Sequence, residues 1–381
     1  MHDVVVIGGG PAGTISAGLL AKDHDVIVIE EHDVSGTPLQ CTGLITQDVI
    51  DMSGVAPDIL NRIYGANVFF PNGNVLEVRS KNVKAVLIDR EDLDRKLAEK
   101  AMDSGAEILY GKTYEGHKFL QNGISAIVDG NEISAKIMVG ADGQRSRTAM
   151  SVPENSPKEY VYGIQADIRS RKEESDIMDL RIGSEFAPGF FSWEIPFEDF
   201  TRVGLCVSQA GGPNDHLKRL LKKTGLQDSE VIRKYSGKIP LGGRKRTYGD
   251  RLVLIGDAAG QVKPISGGGL YPIMKAAPHL KDTVSNALST GNTSAKALST
   301  YEKAWKKEIG KELSRGYRIR KMYTKLTDDD YNKVYDIMER ENIKKILNDI
   351  SVDEPSSVAP FILKNPRAAV SFLPIILKAL L

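Results

Sequence analysis

Gly8, Gly10 and Gly13 stand at the three glycine positions of G-x-G-x-x-G, and Glu30 closes the next apolar run. Glycine at the first place permits a tight turn, at the second it lets a pyrophosphate approach the backbone, and at the third it lets helix and strand pack closely. An acid at the end of the following strand is placed to accept a ribose hydroxyl. The chemistry these residues announce is dinucleotide binding. The elements that must position them surround them: an apolar run Val4 to Ile7, an Ala-rich segment after Pro11, and a second apolar run Val26 to Ile29. That is a strand, a turn, a helix and a parallel strand, and the helix start offers free N–H groups and a positive dipole end to the phosphates.

Further residues with chemical potential follow in order. Ser35 to Ile45 (SGTPLQCTGLI) is rich in small and turn-forming residues, which predicts a loop at the edge where an open α/β sheet lines its cofactor crevice. Cys41 then sits where a flavin or nicotinamide ring lies; the plain alternative is a buried, inert thiol. Leu93, Leu97 and Ala101 recur at helical spacing, with Arg90 just ahead of that helix. Arg90 either neutralises a pyrophosphate or holds a cofactor ribose, or else it is a solvated surface residue. Lys136 to Arg147 (KIMVGADGQRSR) delivers Asp142 and Gly143 into a turn with Ser146 behind them. In Arg251 to Ala277 a strand, Leu252 to Ile255, ends at Gly256-Asp257, and a Gly-rich loop opens a helix whose first turn includes Gly269 and Leu270. Backbone N–H groups at that helix start again point toward something anionic or polar.

Composition narrows the class. A chain of 381 residues predicts more than one domain. Fifty-one Lys and Arg against 50 Asp and Glu leave a net charge of +1, which argues against bulk binding to nucleic acid. Cys41 and Cys206 are the only cysteines, so neither a disulfide framework nor a Cys-based zinc site can be built, and no metal is expected. A reducing cytoplasm fits, as does a first strand that leaves no room for a signal peptide. No uninterrupted apolar run approaches the roughly 18 to 20 residues that span a bilayer.

The remaining patterns are structural. Val68 to Val78 carries an Asn72-Gly73 hairpin turn, and residues 107 to 140 read as a β-meander broken at Asn122-Gly123 and Asp129-Gly130. Tyr160 to Ser208 is β-rich and contains PGFFSWEIP, Pro188 to Pro196; inserted in a nucleotide fold, such a sheet is a substrate platform. Phe191 and Trp193 alternate along the strand and should share a face, with Glu194 opposite. From Ser294 the pattern is helical, and Tyr301, Trp305, Ile309, Leu313 and Tyr317 form an i, i+4 stripe facing a core. Lys296 to Lys325 holds ten Lys or Arg against three Glu, a local +7: a solvated face, or one that greets an anionic surface. Phe372 to Leu381 is apolar, a docked helix or a surface membrane anchor.

With these residues in view, the chain resembles the flavoprotein superfamily of para-hydroxybenzoate hydroxylase and, within it, the geranylgeranyl reductase family. GGGPAG at Gly8 to Gly13, GADG at Gly140 to Gly143 and GDAA at Gly256 to Ala259 carry the first likeness. GDAAGQVKPISGGGLY in place of the hydroxylases' GDAAH, PGFFSWEIP against PxxYxWxFP, and QCTG at Gln40 to Gly43 carry the second. Phe191 stands where that family has Tyr and Ile195 where it has Phe, positions that shape the lipid pocket. The resemblance implies non-covalent FAD. With Gly8 and Gly10 among the cofactor-binding residues, it puts Ala12, Gly13 and Glu30 on the AMP half of FAD, Cys41, Gly43 and Arg90 along the cofactor, Asp257 at the ribityl-pyrophosphate region, Gly269 and Leu270 at the isoalloxazine, and Tyr114 near adenine.

The implied architecture is α/β: a Rossmann-like FAD-binding domain (1–64, 85–155 and 237–290), an inserted antiparallel β-sheet substrate domain (65–84 and 156–236), and a C-terminal helical region (291–381). The implied activity is hydrogenation of isolated C=C bonds in a geranylgeranyl chain of an archaeal-type lipid precursor, with Phe191 and Trp193 lining the pocket and Cys41 the candidate proton donor by location. No second GxGxxG occurs, so electrons come from a visiting NAD(P)H or from a donor protein such as ferredoxin. A flavin monooxygenase or halogenase is the rival enzyme, since FSWEIP resembles the halogenase WxWxIP pattern. A flavin- or lipid-binding protein without turnover is the non-enzymatic rival.

Overall fold

Val4, Val5, Val6 and Ile7 are β-branched and lack polar side-chain atoms, so they form a strand that buries both faces. The computed structural model describes residues 1–152, 156–209, 212–341, 343, 347–348, 351–358 and 366–380. In it β1 (His2–Ile7) lies between β2 (Val26–Ile29) and β11 (Asn131–Gly140), parallel to both. β8 (Glu107–Leu109) extends the sheet beyond β2, and β18 (Leu252–Leu254) extends it beyond β11, also in parallel. β17 (Tyr248–Gly249) closes the edge antiparallel to β18. The hairpin β9 (Tyr114–Leu120) and β10 (Gly123–Val128) joins the first half of β11.

Between β1 and β2 runs α1 (Pro11–Leu20), with Pro11 in its first turn, where the missing N–H costs nothing. One face of the sheet (Val4, Val6, Val26, Val28, Val139) packs on α1 and on Ile273, Leu280 and Val284 of α5 (Leu270–Thr290). The other face (Val5, Ile7, Ile27, Ile29) packs on Ile124, Ala126 and Tyr114.

A second sheet runs β16 (Val231–Leu241), β12 (Glu159–Ile168), β15 (Thr201–Val207), β14 (Phe191–Pro196), β13 (Ile177–Ile182), β5 (Gly65–Phe69), β6 (Val75–Arg79). Its pairings are antiparallel except β5 with β13, which are parallel. The expectation of an antiparallel sheet needs that one amendment: the early hairpin β5–β6 docks on a strand from a distant part of the chain, and no short turn dictates the direction. β16 stays in this sheet to Leu241, past the expected domain boundary at 236. Ile164, Ala166, Val203 and Leu205 bury one face under Leu217 and Leu220 of α4 (Pro213–Lys223). Val161, Trp193, Ile195 and Cys206 turn the other way, to Val262. A small antiparallel sheet, β3 (Leu44–Ile45), β7 (Ala85–Ile88) and β4 (Ile59–Ile63), with α2 (Gln47–Ser53) and α3 (Arg90–Asp103), fills the space beside the nucleotide sheet.

The C-terminal part is helical: α6 (Ala295–Trp305), a π-helical turn Lys306–Gly310, α7 (Lys311–Tyr323), α8 (Asp328–Arg340) and α9 (Pro366–Leu380). Tyr301, Trp305 and Ile309 of the predicted stripe are buried in the first core, and Leu313 packs against it. Arg320, fully buried, donates to the Gly189 carbonyl (3.0 Å), Ser208 Oγ (3.0 Å) and Tyr323 Oη (2.6 Å) and pairs with Glu159, tying α7 to the second sheet. Ala368 and Phe372 of α9 pack on Ile337 of α8, while Val370, Leu373 and Leu377 are exposed. Among the described residues no helix is long and apolar enough to cross a membrane.

Candidate dinucleotide site and the sheet that faces it

The glycine turn divides into closed and open positions. A Cβ on Gly13 would fall 1.8 Å from the Gly8 carbonyl oxygen, and one on Gly8, at φ +104, would fall 2.5 Å from that of Ala141. Gly10 has ordinary extended backbone, and no atom lies within 4 Å of where its Cβ would be. The first two glycines therefore serve the packing of strand, turn and helix. Gly10 leaves a cradle.

The N–H groups of Ala12 and Gly13 stand in the first turn of α1, where no intrahelical acceptor exists, and no acidic side chain there offsets the positive helix end. Glu30 is buried; its Oε2 accepts from the Gly9 N–H at 2.6 Å, and its Oε1 from the His32 backbone at 2.9 Å and His32 Nδ1 at 2.6 Å. Asp142 fastens the adjoining turn, accepting from Ser146 Oγ and Thr148 Oγ1, both at 2.6 Å, and from the Thr148 N–H at 2.9 Å. Tyr114 packs its side chain in the core under the sheet with Ile7, Ile29 and Met138. Its carbonyl accepts from Arg147 at 2.8 Å, and burial lifts its hydroxyl above the usual range.

The GDAA segment meets the first motif directly. A Cβ on Gly256, at φ +68, would fall 2.8 Å from Ala12 Cβ. Asp257 beside it is half-buried, and loss of solvent pushes its carboxyl up to about 6 against the pull of the Arg90 charge. The Asp257 Oδ1 lies 3.2 Å from where a Gly269 Cβ would be. Gly269 caps α5, whose first turn also lacks acids, and Leu270 is buried with Ile45, Val86 and Leu93.

Arg90 is the first residue of α3, behind an Asp89 cap that accepts from the Glu91 and Asp92 N–H groups. Its side chain is buried, so the solvated alternative does not hold: the guanidinium forks onto Asp94, Nε to Oδ1 at 3.2 Å and Nη2 to both oxygens at 3.0 Å. Burial opposes its charge, yet the Asp94 carboxylate, with Cys41 beside it, holds Arg90 above its ordinary value. For Asp94 burial outweighs Arg90, and its carboxyl is raised. Cys41 Sγ accepts from the Gly43 N–H at 3.4 Å; Gly43, at φ +82, leaves no room for a Cβ, which would fall 2.7 Å from the Ile88 carbonyl oxygen. Cys41, Gly43 and Arg90 thus stand together, and the Asp257 carboxyl lies near enough to feel the Arg90 charge.

The second sheet grips this group from across the cleft. Gln165 Nε2 donates to the Cys41 carbonyl at 3.0 Å, and Arg202 Nη1 donates to that of Thr42 at 2.7 Å. Arg202 is itself locked by Asp167 (Nε to Oδ1 2.6 Å, Nη2 to Oδ2 2.9 Å), which also accepts from the Tyr235 hydroxyl at 2.9 Å. The rings of Phe197, Phe200 and Tyr235 surround the guanidinium. Phe191 stacks on Phe190 with centroids 4.5 Å apart and meets Trp193 edge-on at 6.0 Å. The Phe190 ring lies beside Gly267 of the Gly-rich loop. Glu194 points to the opposite face, paired with Arg181.

A strap from the C-terminal region closes on the same loop: Lys263 Nζ pairs with Asp353 at 2.7 Å, Thr46 donates to the same carboxylate, and the Tyr271 hydroxyl donates to Glu354 at 2.9 Å. Gln165, Asp167, Arg202 and Asp353 carry no motif and escape a sequence reading. Asp94, four residues after Arg90 on a helix, is the one partner that spacing alone could find.

An open cradle at Gly10, the N-termini of α1 and α5 with no acid in either first turn, and the buried Arg90–Asp94 pair beside Cys41 suit a long ligand with two phosphates and a flat ring. The residues fit a dinucleotide.

Comparison with known proteins agrees with this geometry. The family model described as lycopene cyclase protein matches residues 3–328. A digeranylgeranylglycerophospholipid reductase of Methanothrix thermoacetophila is 30% identical over 366 residues, covering 90% of this chain and 93% of its own. A crystal structure of a geranylgeranyl bacteriochlorophyll reductase-like protein from Thermoplasma acidophilum superposes with a TM-score of 0.86 at 22% identity, covering 98% of this chain and 99% of its own. The halogenase PltM, in complex with phloroglucinol and FAD, shares the fold at a TM-score of 0.68 and 15% identity, over 95% of this chain and 86% of its own.

Proposed function

This chain belongs to the family that the lycopene cyclase protein model describes and, through its relatives, to the digeranylgeranylglycerophospholipid reductases, and we propose on that premise that it is an FAD-dependent reductase hydrogenating isolated C=C bonds in the geranylgeranyl chains of an archaeal-type lipid precursor. The observation that carries the reading is the Cys41–Gly43 loop beside Arg90, bonded through the Cys41 carbonyl to Gln165 on the sheet face that also carries Phe191 and Trp193. Polar, charge-bearing residues line the cofactor side. The opposite side offers rings and aliphatic surface, which suits an uncharged polyene.

FAD, when bound and reduced, supplies the hydride. The chain's own residues do the rest. The Ala12 and Gly13 N–H groups and the Gly10 cradle receive the pyrophosphate, Glu30 takes a ribose hydroxyl, and Arg90, held by Asp94, supplies positive charge along the cofactor. Gly269 and Leu270 present backbone to the ring end. Phe191 and Trp193 hold the chain by apolar burial, about 0.8 kcal/mol per CH₂, and exclude water. Cys41 Sγ is the proton-bearing atom assigned here. Residues 1–64, 85–155 and 237–290 hold the cofactor in this reading, 65–84 and 156–236 the substrate, and 291–381 closes the assembly. The likeness to the halogenase is one of fold.

The lipid substrate also gives the C-terminal helix a role. Val370, Leu373 and Leu377 of α9 form an exposed apolar row flanked by Arg367 and Lys378, the composition of a helix that lies on an anionic lipid surface. Leu373→Ser with Leu377→Ser abolishes co-sedimentation with phosphatidylglycerol vesicles in this reading; undiminished binding removes the peripheral contact. Electrons arrive from NAD(P)H or a donor protein such as ferredoxin. The deciding experiment is anaerobic incubation of dithionite-reduced protein with a geranylgeranyl lipid: the product gains two hydrogens per saturated bond, and an unchanged mass with flavin still reduced refutes the activity. Oxygen uptake coupled to NAD(P)H in place of hydrogenation would favour a monooxygenase.

A further inference from the structure

Gln165, Gly204 and Trp193 are direct cross-strand neighbours on β12, β15 and β14. Their side chains share the face that looks toward the Cys41 loop. Gly204 has none, and its neighbours occupy the space: a Cβ there would fall 2.5 Å from Gln165 Cβ and 2.6 Å from Trp193 Cε2, the carbon that carries the indole nitrogen. The stem of Gln165 and the indole therefore share the space over Gly204. Gln165 is 6% exposed and Trp193 8%.

Each leaves one polar atom without a partner among the described residues. Gln165 spends its N–H on the Cys41 carbonyl, so its Oε1 is a free acceptor, and Trp193 Nε1 is a free donor. A buried polar group left unpaired is costly, and native structures keep few of them. The two orphans are complementary. One oxygen that accepts from the indole and donates to the amide satisfies both. The floor around them is kept low by Gly163 and Gly237, directly opposite one another on β12 and β16. A prenyl chain can satisfy neither atom, because it has no lone pair and no polar hydrogen.

We propose that Gln165 Oε1 and Trp193 Nε1 form a subsite for a single hydroxyl oxygen, either the alcohol end of a polyprenyl ligand or a trapped water, held beside the Cys41 backbone. The inference rests on the lipid-reductase reading for the alcohol, whereas the hydroxyl chemistry stands on the two orphaned atoms. An alcohol anchored there fixes how far the chain enters and hence which double bond reaches the ring. A water anchored there places a proton carrier within the substrate wall.

The test uses the FAD-loaded protein with geranylgeraniol and with a C20 hydrocarbon of equal unsaturation, comparing Kd by tryptophan fluorescence and locating oxygens in crystals at high resolution. If the alcohol is the ligand, wild type binds geranylgeraniol about tenfold more tightly than the hydrocarbon, one hydrogen bond's worth. Trp193→Phe, which removes the N–H together with part of the ring's apolar surface, weakens both ligands but erases the difference between them; for this variant the remaining tryptophan or equilibrium dialysis reports binding. If water is the ligand, the two compounds bind alike, and an ordered oxygen bridges the two atoms in wild type and is absent from Trp193→Phe. Equal binding with no oxygen between these atoms overturns the proposal. The wild-type measurements decide even where a variant folds poorly, and none depends on turnover, so failure of the subsite is distinguishable from failure of the reductase reading.

Discussion

Gly10→Val separates the cofactor from the fold. The substitution adds an isopropyl group where no protein atom lies within 4 Å of the Cβ position, on backbone with φ −73 and ψ −179 that any residue adopts. Its cost to the protein is the weaker N-cap, about 1 kcal/mol, or a fall in Tm of ~2 °C for a chain of this size. Its cost to FAD is larger, because the branch fills the cradle through which the pyrophosphate reaches the Ala12 and Gly13 N–H groups. Two charge-assisted hydrogen bonds at about 1.5–3 kcal/mol each weaken FAD by ~10²–10⁴-fold. Gly13→Ala inverts the pattern. Its Cβ falls 1.8 Å from the Gly8 carbonyl oxygen, so β1 and α1 must separate at about 1–3 kcal/mol or more, with or without cofactor. The assay pairs apoprotein Tm with FAD titration by flavin fluorescence for both variants. Gly10→Val apoprotein melts near wild type and fails to hold FAD, whereas Gly13→Ala melts lower as apoprotein. Stoichiometric FAD at wild-type affinity in Gly10→Val refutes the placement of the pyrophosphate, and an unshifted Gly13→Ala apoprotein refutes the packing argument.

Other outcomes follow from the same geometry. Trp193→Ala raises KM for the lipid while FAD stays bound and circular dichroism is unchanged; joint loss of FAD and fold makes the ring a core residue only. Asp257, with a folded value of about 6 against an ordinary 3.8, favours folding in its protonated form. Its contribution is full below pH 4 and is lost as pH rises through 6, about 3 kcal/mol in all. The unfolding free energy of wild-type apoprotein relative to Asp257→Asn therefore drops between pH 4 and 7, and parallel pH curves contradict this. Arg202→Met strands the buried Asp167 carboxylate and frees the Thr42 carbonyl, costing about 3–5 kcal/mol by urea unfolding; a change under 1 kcal/mol means the pair is solvated. Calorimetry with NADPH gives no stoichiometric micromolar complex independent of the flavin, and finding one overturns the transient-donor reading.

What the sequence disclosed and what it hid have a common cause. GGGPAG, GADG and GDAA are legible because each packs its chemistry into a few consecutive residues, and strand periodicity put Phe191 and Trp193 on one face. Arg90 could not be called from spacing, since its burial depends on Asp94 and on a loop fifty residues upstream. Gln165, Asp167 and Arg202 were invisible: the first two sit on β12 and the third on β15, and only the pairing of those strands brings them under Cys41. The parallel meeting of β5 and β13 was hidden for the same reason, because no turn between them records it.

The Lys263–Asp353 pair has a bearing on how the protein is made. The Gly-rich loop at Lys263–Gly269 is synthesised 90 residues before its buried counter-ion. On the ribosome every other part of the crevice, from β1 to the start of α5, has emerged while Lys263 still lacks its partner, and a buried cation without one is a strongly destabilising element. In order of synthesis, the ion pair that closes this loop is therefore among the last contacts of the crevice that can form.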